Sequence, residues 1–242
     1  MIATPLTQLV TQGFTHEAIL SDLDGCLVSS ATVLPGAREL LDRHPGRVWV
    51  VSNNSEDTSV SLSERLVRLG LDLDPSQVLT AGESMVRSIA EEHPGARLAW
   101  FGTQRLADLA QSLSLTIDRE QPDIAALTRD PAMNGHDLTA LMRLASRGIP
   151  VWVANPDPSH PAADGTPVAE TGAWWAALTA AVPVTAARVV GKPSPDLLRA
   201  ALTRAGVEPA NAIMIGDTAV TDGAAARAAG VTFRLVERPE LS

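Results

Sequence analysis

The chain has no tyrosine, one cysteine and one lysine, and only 3% of its 242 residues are aromatic. The single cysteine, Cys26, cannot form an intramolecular disulfide, and no Cys/His cluster has the spacing of a zinc site, so any metal must be held by oxygen. Positive charge is also scarce. Nineteen Lys plus Arg stand against 28 Asp plus Glu, a net charge of −9 with no basic stripe, which argues against a nucleic-acid partner. No run approaches the ~18 uninterrupted apolar residues of a membrane span. The opening MIATPLTQLVTQGFTHEA contains neither Lys nor Arg, whereas a secretory signal needs a basic start, so a cytoplasmic protein with no membrane partner is expected.

What is present is ordinary globular composition, 45% apolar and 19% charged, at a length sufficient for one large or two small domains. Short apolar runs alternate with amphipathic helical patterns, the signature of an α/β protein with a largely parallel sheet. Strands are expected at 17–22, 47–52, 97–101, 123–127, 151–154, 187–190, 212–216 and 231–235, with helices such as 57–69, 82–92, 137–147, 171–181, 194–205 and 219–229 between them. Ser194 is the expected N-cap of the helix that Gly206 ends. The segments that look chemically active lie at 22–26, 52–54 and 191–222, with more than 100 residues between the second and third. The intervening stretch has strands and helices of its own, so it reads as an inserted domain. The expected organisation is a discontinuous Rossmann-like core of 1–82 and 187–242 around an α/β cap of 83–186.

Asp22 and Asp24, in DLDG with Gly25, follow directly on a buried apolar strand, the end at which open α/β sheets bind ligands. Two carboxylates there repel unless they share a proton or a divalent cation, and hard oxygen ligands suit magnesium. Val48 to Ser52 ends in Ser52-Asn53-Asn54, small polar groups at a strand tip that can bind phosphate oxygens, or form a plain loop turn. The one lysine, Lys192, stands in Gly191-Lys192-Pro193 among 18 arginines, a position where a compact point charge is wanted rather than a planar fork. Ile213 to Asp217 repeats the plan of strand then acid, and Asp222 follows. A third carboxylate at a strand tip completes an oxygen-rich cation site, although a helix N-cap is the plainer role for either acid.

Together DLDG, SNN, GKP and GDTAVTD resemble the four motifs of the haloacid dehalogenase superfamily of phosphohydrolases. The runs LPGA (34–37), ANPDPSHPAADGTPVAETGA (154–173) and VVGKPSP (189–195) resemble its NagD-like, 4-nitrophenylphosphatase branch, which carries a type IIA cap. The resemblance implies that Asp22 is a nucleophile forming an aspartyl phosphate and that Asp24 is the general acid and base. It implies Mg2+ held by Asp22, the Asp24 backbone carbonyl and Asp217. Ser52, Asn53 and Lys192 would bind the phosphoryl oxygens, with Gly25, Asn54 and Asp222 in support. The expected activity is hydrolysis of a small phosphomonoester such as a sugar phosphate, phosphoglycolate or glycerol phosphate. A phosphotransferase or mutase using the same intermediate, and a non-catalytic sugar-phosphate-binding regulator, are the alternatives.

The segment 126–142 departs from the branch, which has a Gly-Leu-Asp run and a Tyr-containing helix start there, so the cap's contacts with the leaving group are atypical. His136 and Asn155 are the candidates for specificity from the cap. Adjacent Trp174 and Trp175 are expected to face opposite ways, one ring in the core and the other covering a domain or subunit interface, which allows a homodimer through the cap. His160, with no second ligand at helical or strand spacing, is not expected to bind metal.

Overall fold

The structure, a computed structural model, describes residues 2–162 and 166–238. It divides into two compact units, one of Met1–Ser52, Ser59–Leu79 and Lys192–Ser242, the other of Asn53–Thr58 and Thr80–Gly191.

The first unit is built on a five-stranded sheet ordered Thr232–Leu235, Ala212–Gly216, Ala18–Ser21, Val48–Ser52, Val78–Thr80. Ala18–Ser21 runs parallel to both its neighbours, with Leu20 opposite Met214 on one side and Trp49 on the other. Every residue of the three central strands is buried, as their uninterrupted apolar sequence requires of a parallel sheet covered on both faces. Alternate residues Ile19, Val48, Val50, Ile213 and Ile215 face one side and pack with Leu40, Leu62 and Leu66 from the helices Ala37–Arg43 and Ser59–Arg68.

The second unit has its own five-stranded sheet, ordered Ala187–Val189, Val151–Val153, Ile124–Leu127, Arg97–Phe101, Thr116–Ile117, parallel throughout. Phe101, Leu127 and Val153 form its core with Leu141, Leu144 and Leu178 of the helices Gly135–Ser146 and Thr171–Ala181. Trp174 and Trp175 are both half-buried and both pack against this cluster, contrary to the expected opposition. The helix is apolar almost all round, with Ala on either side of the pair, so no polar face sets one of the two residues outward.

All eight expected strands form, each within one residue at either end. Their sheet membership differs from expectation at one place. Ala187–Val189 pairs with Val151–Val153, Arg188 opposite Trp152, so it belongs to the second unit, and the chain returns to the first only at Lys192. The short strand Val78–Thr80 and the hairpins Val28–Ser29/Thr32–Val33 and Ser159–Pro161/Pro167–Ala169 were not anticipated. Ala163, Asp164 and Gly165, within the run ANPDPSHPAADGTPVAETGA, lie outside the described residues.

The helix expected at 194–205 begins at Asp196, with Pro195 as its helical-region N-cap, and ends as expected at left-handed Gly206. The helix expected at 219–229 is instead a π turn, Ala219–Gly223, followed by Ala224–Ala229. Among the described residues no helix is long and apolar enough to cross a membrane.

Candidate active site

Two strand tips of the first unit and the segment that returns to it at Lys192 deliver charge to one point. Asp22 leaves Ala18–Ser21 with its amide still donating to Ile215 O at 2.9 Å, so its position is fixed by the last rung of the parallel ladder. Lys192 is the first residue of the returning segment. Its Nζ lies 2.7 Å from an Asp22 oxygen and 2.7 Å from an Asp222 oxygen, and the residue is 2% exposed. A buried ammonium is tolerated only with such partners, since leaving either ion alone in a dry site costs several kcal/mol.

Asp217 follows Ala212–Gly216 directly, and Asp222 stands five residues later in the π turn. The Asp222 amide donates to Thr218 O at 2.9 Å, which folds the start of this turn back toward the strand tip that carries Asp217. Asp222 is held there by the Thr218 amide, which donates to its Oδ2 at 3.1 Å. Gly216 makes the room: a Cβ at that position would lie 2.4 Å from Asp222 Oδ2. Gly25 has φ +82° and leaves space of the same kind, because a Cβ there would lie 2.1 Å from Asp217 Oδ2.

One carboxylate oxygen from each of Asp22, Asp217 and Asp222 lies within 4.8 Å of the other two. The donor set is all hard oxygen at short mutual range, which fits a magnesium-type cation. Burial is the main cause that raises the Asp22 carboxyl to about 8, with the Asp222 and Asp217 charges adding to it and Lys192 opposing. Burial pulls the Lys192 ammonium down, but Asp22 and Asp222 outweigh it and hold the group charged, above its ordinary value. Cys26, beside Ser21 at 3.6 Å, is buried, and burial lifts its thiol well above the ordinary range, so it is no nucleophile.

The remaining sequence candidates fall in different places. Ser52 is buried at the tip of Val48–Ser52, whereas Asp24 is exposed in the turn after Asp22. Asn54 caps a local turn, its Oδ1 accepting the Glu56 and Asp57 amides at 3.1 and 2.8 Å, which is the plain loop role. Asn53 belongs to the second unit, where its Nδ2 donates to Asp157 Oδ2 at 2.8 Å. Asn155, 1% exposed, donates to Asn53 O at 2.8 Å and Ser55 Oγ at 3.1 Å, while its Oδ1 accepts the Asp157 amide at 3.0 Å. Its amide is thus committed to bracing the 53–55 and 155–157 loops rather than offered to a ligand.

His136 is exposed in the first turn of Gly135–Ser146, its amide capped by Asn134. His160 does meet a carboxylate, Glu170 Oε1 at 2.7 Å, because the hairpin folds it back next to Glu170, which also pairs with Arg129.

Sequence reasoning missed Arg238. Its Nε donates to Asp217 Oδ2 at 2.7 Å and its Nη2 pairs with the same oxygen, while the Thr218 hydroxyl donates to Asp217 Oδ1 at 2.9 Å. No motif contains Arg238; the contact arises because Thr232–Leu235 runs parallel beside Ala212–Gly216 and carries the chain past the tip.

The haloacid dehalogenase-like hydrolase family matches residues 16–230. A D-glycerol 3-phosphate phosphatase of Mycobacterium tuberculosis is 31% identical over 226 residues, covering 91% of this chain and 63% of the relative, so the chain spans less than two thirds of that protein's length. The structure of a glycerol phosphate phosphatase from Mycobacterium tuberculosis in complex with magnesium superposes with a TM-score of 0.85 at 28% identity, covering 98% of this chain and 71% of that one. The p-nitrophenyl phosphatase of Archaeoglobus fulgidus gives a TM-score of 0.81 at 30% identity, covering 91% and 85%.

Proposed function

The chain belongs to the haloacid dehalogenase-like hydrolase family, and on that premise we propose that it is a magnesium-dependent phosphomonoesterase of the NagD-like, 4-nitrophenylphosphatase branch. The observation that carries this reading is the buried Asp22–Lys192–Asp222 triad with Asp217 beside it, one nucleophile-capable carboxylate held among a fixed cation and two further acids. A metabolite-sized ester of the glycerol phosphate kind is the favoured substrate, in keeping with the relative that acts on D-glycerol 3-phosphate.

In this reading Asp22, Asp217 and the Asp24 carbonyl, with Asp222 close by, would hold the magnesium ion. That ion, when bound, neutralises the repulsion between a carboxylate and a phosphate dianion. An Asp22 oxygen attacks phosphorus and the bond to the ester oxygen breaks, leaving an aspartyl phosphate. Asp24, exposed in the turn after Asp22, gives its proton to the departing alkoxide. It then takes a proton from water, whose oxygen attacks phosphorus, and cleavage of the acyl phosphate restores Asp22 and releases inorganic phosphate. Lys192 and the Ser52 hydroxyl, with Asn53, would hold the phosphoryl oxygens, and Asp222 positions Lys192. The second unit, Asn53–Thr58 and Thr80–Gly191, would be the cap, with assembly into a homodimer through it and a cytoplasmic location as parts of the same reading.

The test is a panel of small phosphate esters incubated with and without Mg2+, followed by phosphate release. Turnover that needs Mg2+ and is lost in Asp22→Asn supports the reading. Binding of esters with no release of phosphate favours the non-catalytic alternative, and release accelerated by added alcohols, with phosphate transferred to them, favours the phosphotransferase.

A further inference from the structure

Asp217 is the most deeply covered of the paired acids outside the lysine triad: its side chain is 2% exposed, and what covers it is Arg238, itself 58% exposed. The guanidinium approaches Oδ2 with Nε and Nη2 together, a fork that saturates that oxygen, while Oδ1 already accepts the Thr218 hydroxyl. Both oxygens of a carboxylate in the cation cluster are therefore occupied by donors of this chain.

The segment that brings Arg238 is tied down up to the preceding residue. Val236 N donates to Gly216 O at 2.8 Å, and Glu237 N donates to Thr4 O at 3.0 Å, with Thr4 N returning to Leu235 O at 3.0 Å. Arg238 thus hangs from a fixed anchor by a long, exposed side chain. Gly25 has no Cβ in the space between, since one built there would lie 2.9 Å from Arg238 Nε. The guanidinium can leave Asp217 by side-chain rotation alone, with no change in the sheet.

We propose that Arg238 competes with the divalent cation for Asp217, so that segment 236–238 regulates occupancy of the cation site. This rests on the reading above in which Asp22, Asp217 and Asp222 face a magnesium ion. Two positive groups cannot share Oδ2 without repulsion, so binding of the ion displaces the guanidinium, and the lost ion pair is subtracted from the ion's affinity. Once displaced, Arg238 is a tethered cation at the mouth of an anionic cluster, and anything that holds it away, an acidic ligand for instance, raises the affinity for the ion by the same factor.

The experiment is calorimetric titration of MgCl2 into the full chain without substrate, for the wild type, Arg238→Gln and Arg234→Gln. Arg234 is exposed on Thr232–Leu235 and supplies the same loss of charge away from Asp217. Arg238→Gln is expected to bind Mg2+ about three- to fivefold more tightly, the scale of one largely exposed ion pair, with Arg234→Gln unchanged. Circular dichroism establishes that each variant is folded. An unchanged or weakened affinity in Arg238→Gln overturns the competition while leaving the cation site itself standing. Equal tightening in Arg234→Gln also overturns it, by assigning the effect to net charge. Absence of Mg2+ binding in all three proteins overturns both this inference and the reading on which it rests.

Discussion

The Lys192 ammonium and the Asp22 carboxylate are 2.7 Å apart although 170 residues separate them in the chain. The same nitrogen also reaches Asp222, so the only lysine of the protein bridges two acids at once. An arginine would present a wider, planar group with several donors where the site offers one point between two oxygens.

Replacing Lys192 therefore exposes the cost of that arrangement. Lys192→Met is expected to lower stability by about 3 kcal/mol, the scale for removing one partner of a buried ion pair, and to weaken binding of inorganic phosphate or vanadate. Lys192→Arg should not restore either. Chemical denaturation and vanadate inhibition measure the two effects, and an arginine variant matching the wild type in both would sink the account.

Asp22→Asn keeps the volume and removes the charge that the proposed attack on phosphorus requires. Steady-state turnover is expected to fall by at least about a thousandfold, as for loss of other covalent nucleophiles, with an intact circular dichroism spectrum. Residual activity above contamination, insensitive to this change, would mean another group attacks phosphorus.

Asp24→Asn should discriminate between substrates. With an alkyl ester, whose leaving oxygen needs a proton, a loss of about a hundredfold or more is expected. With an aryl phosphate such as 4-nitrophenyl phosphate the loss should be much smaller. Comparable losses on both would remove Asp24 from the role of general acid.

The raised Asp22 carboxyl gives a pH dependence of definite sign. An acid whose pKa is about 8 in the fold and near the ordinary carboxylate value in the unfolded chain binds its proton more tightly when folded. Its contribution to stability is full at low pH and is lost as pH rises towards 8. A divalent cation must displace that proton below pH 8 and need not above it. The rise in melting temperature caused by Mg2+ is therefore expected to be larger at pH 8.5 than at pH 6. Thermal unfolding with and without Mg2+ at the two values checks this, and an equal or larger rise at pH 6 contradicts it.

The sequence made the strands legible because parallel strands buried on both faces are written as unbroken apolar runs, of which Ala18–Ser21, Val48–Ser52 and Ala212–Gly216 are examples. Asp22 and Asp217 were legible because each directly follows such a run, and Lys192 because it is the one lysine in the sequence. Val78–Thr80 escaped because three residues carry no periodicity. The membership of Ala187–Val189 escaped because an apolar run records burial and not the partner beside it. The hydrogen bonds by which Asn155 joins the 53–55 and 155–157 loops were not legible, because they depend on residues about a hundred positions away in the chain. Arg238 had no signal at all, since nothing local distinguishes it from the other arginines until the sheet brings it to Asp217.

The order in which the segments are joined has a consequence for synthesis on the ribosome. Ala18–Ser21 emerges early and soon meets Val48–Ser52, but its other neighbour, Ala212–Gly216, lies beyond the whole of the second unit. Thr80–Gly191 is by contrast continuous, and its five-stranded sheet contains no strand from outside that stretch. The second unit can thus complete its hydrophobic core while the nascent chain is still being extended, whereas the first has an open sheet edge and unneutralised acids at Asp22 until Lys192 and the last strands leave the exit tunnel. Asp22, Lys192, Asp217 and Asp222 therefore cannot be brought together until the segment after Gly191 has been made.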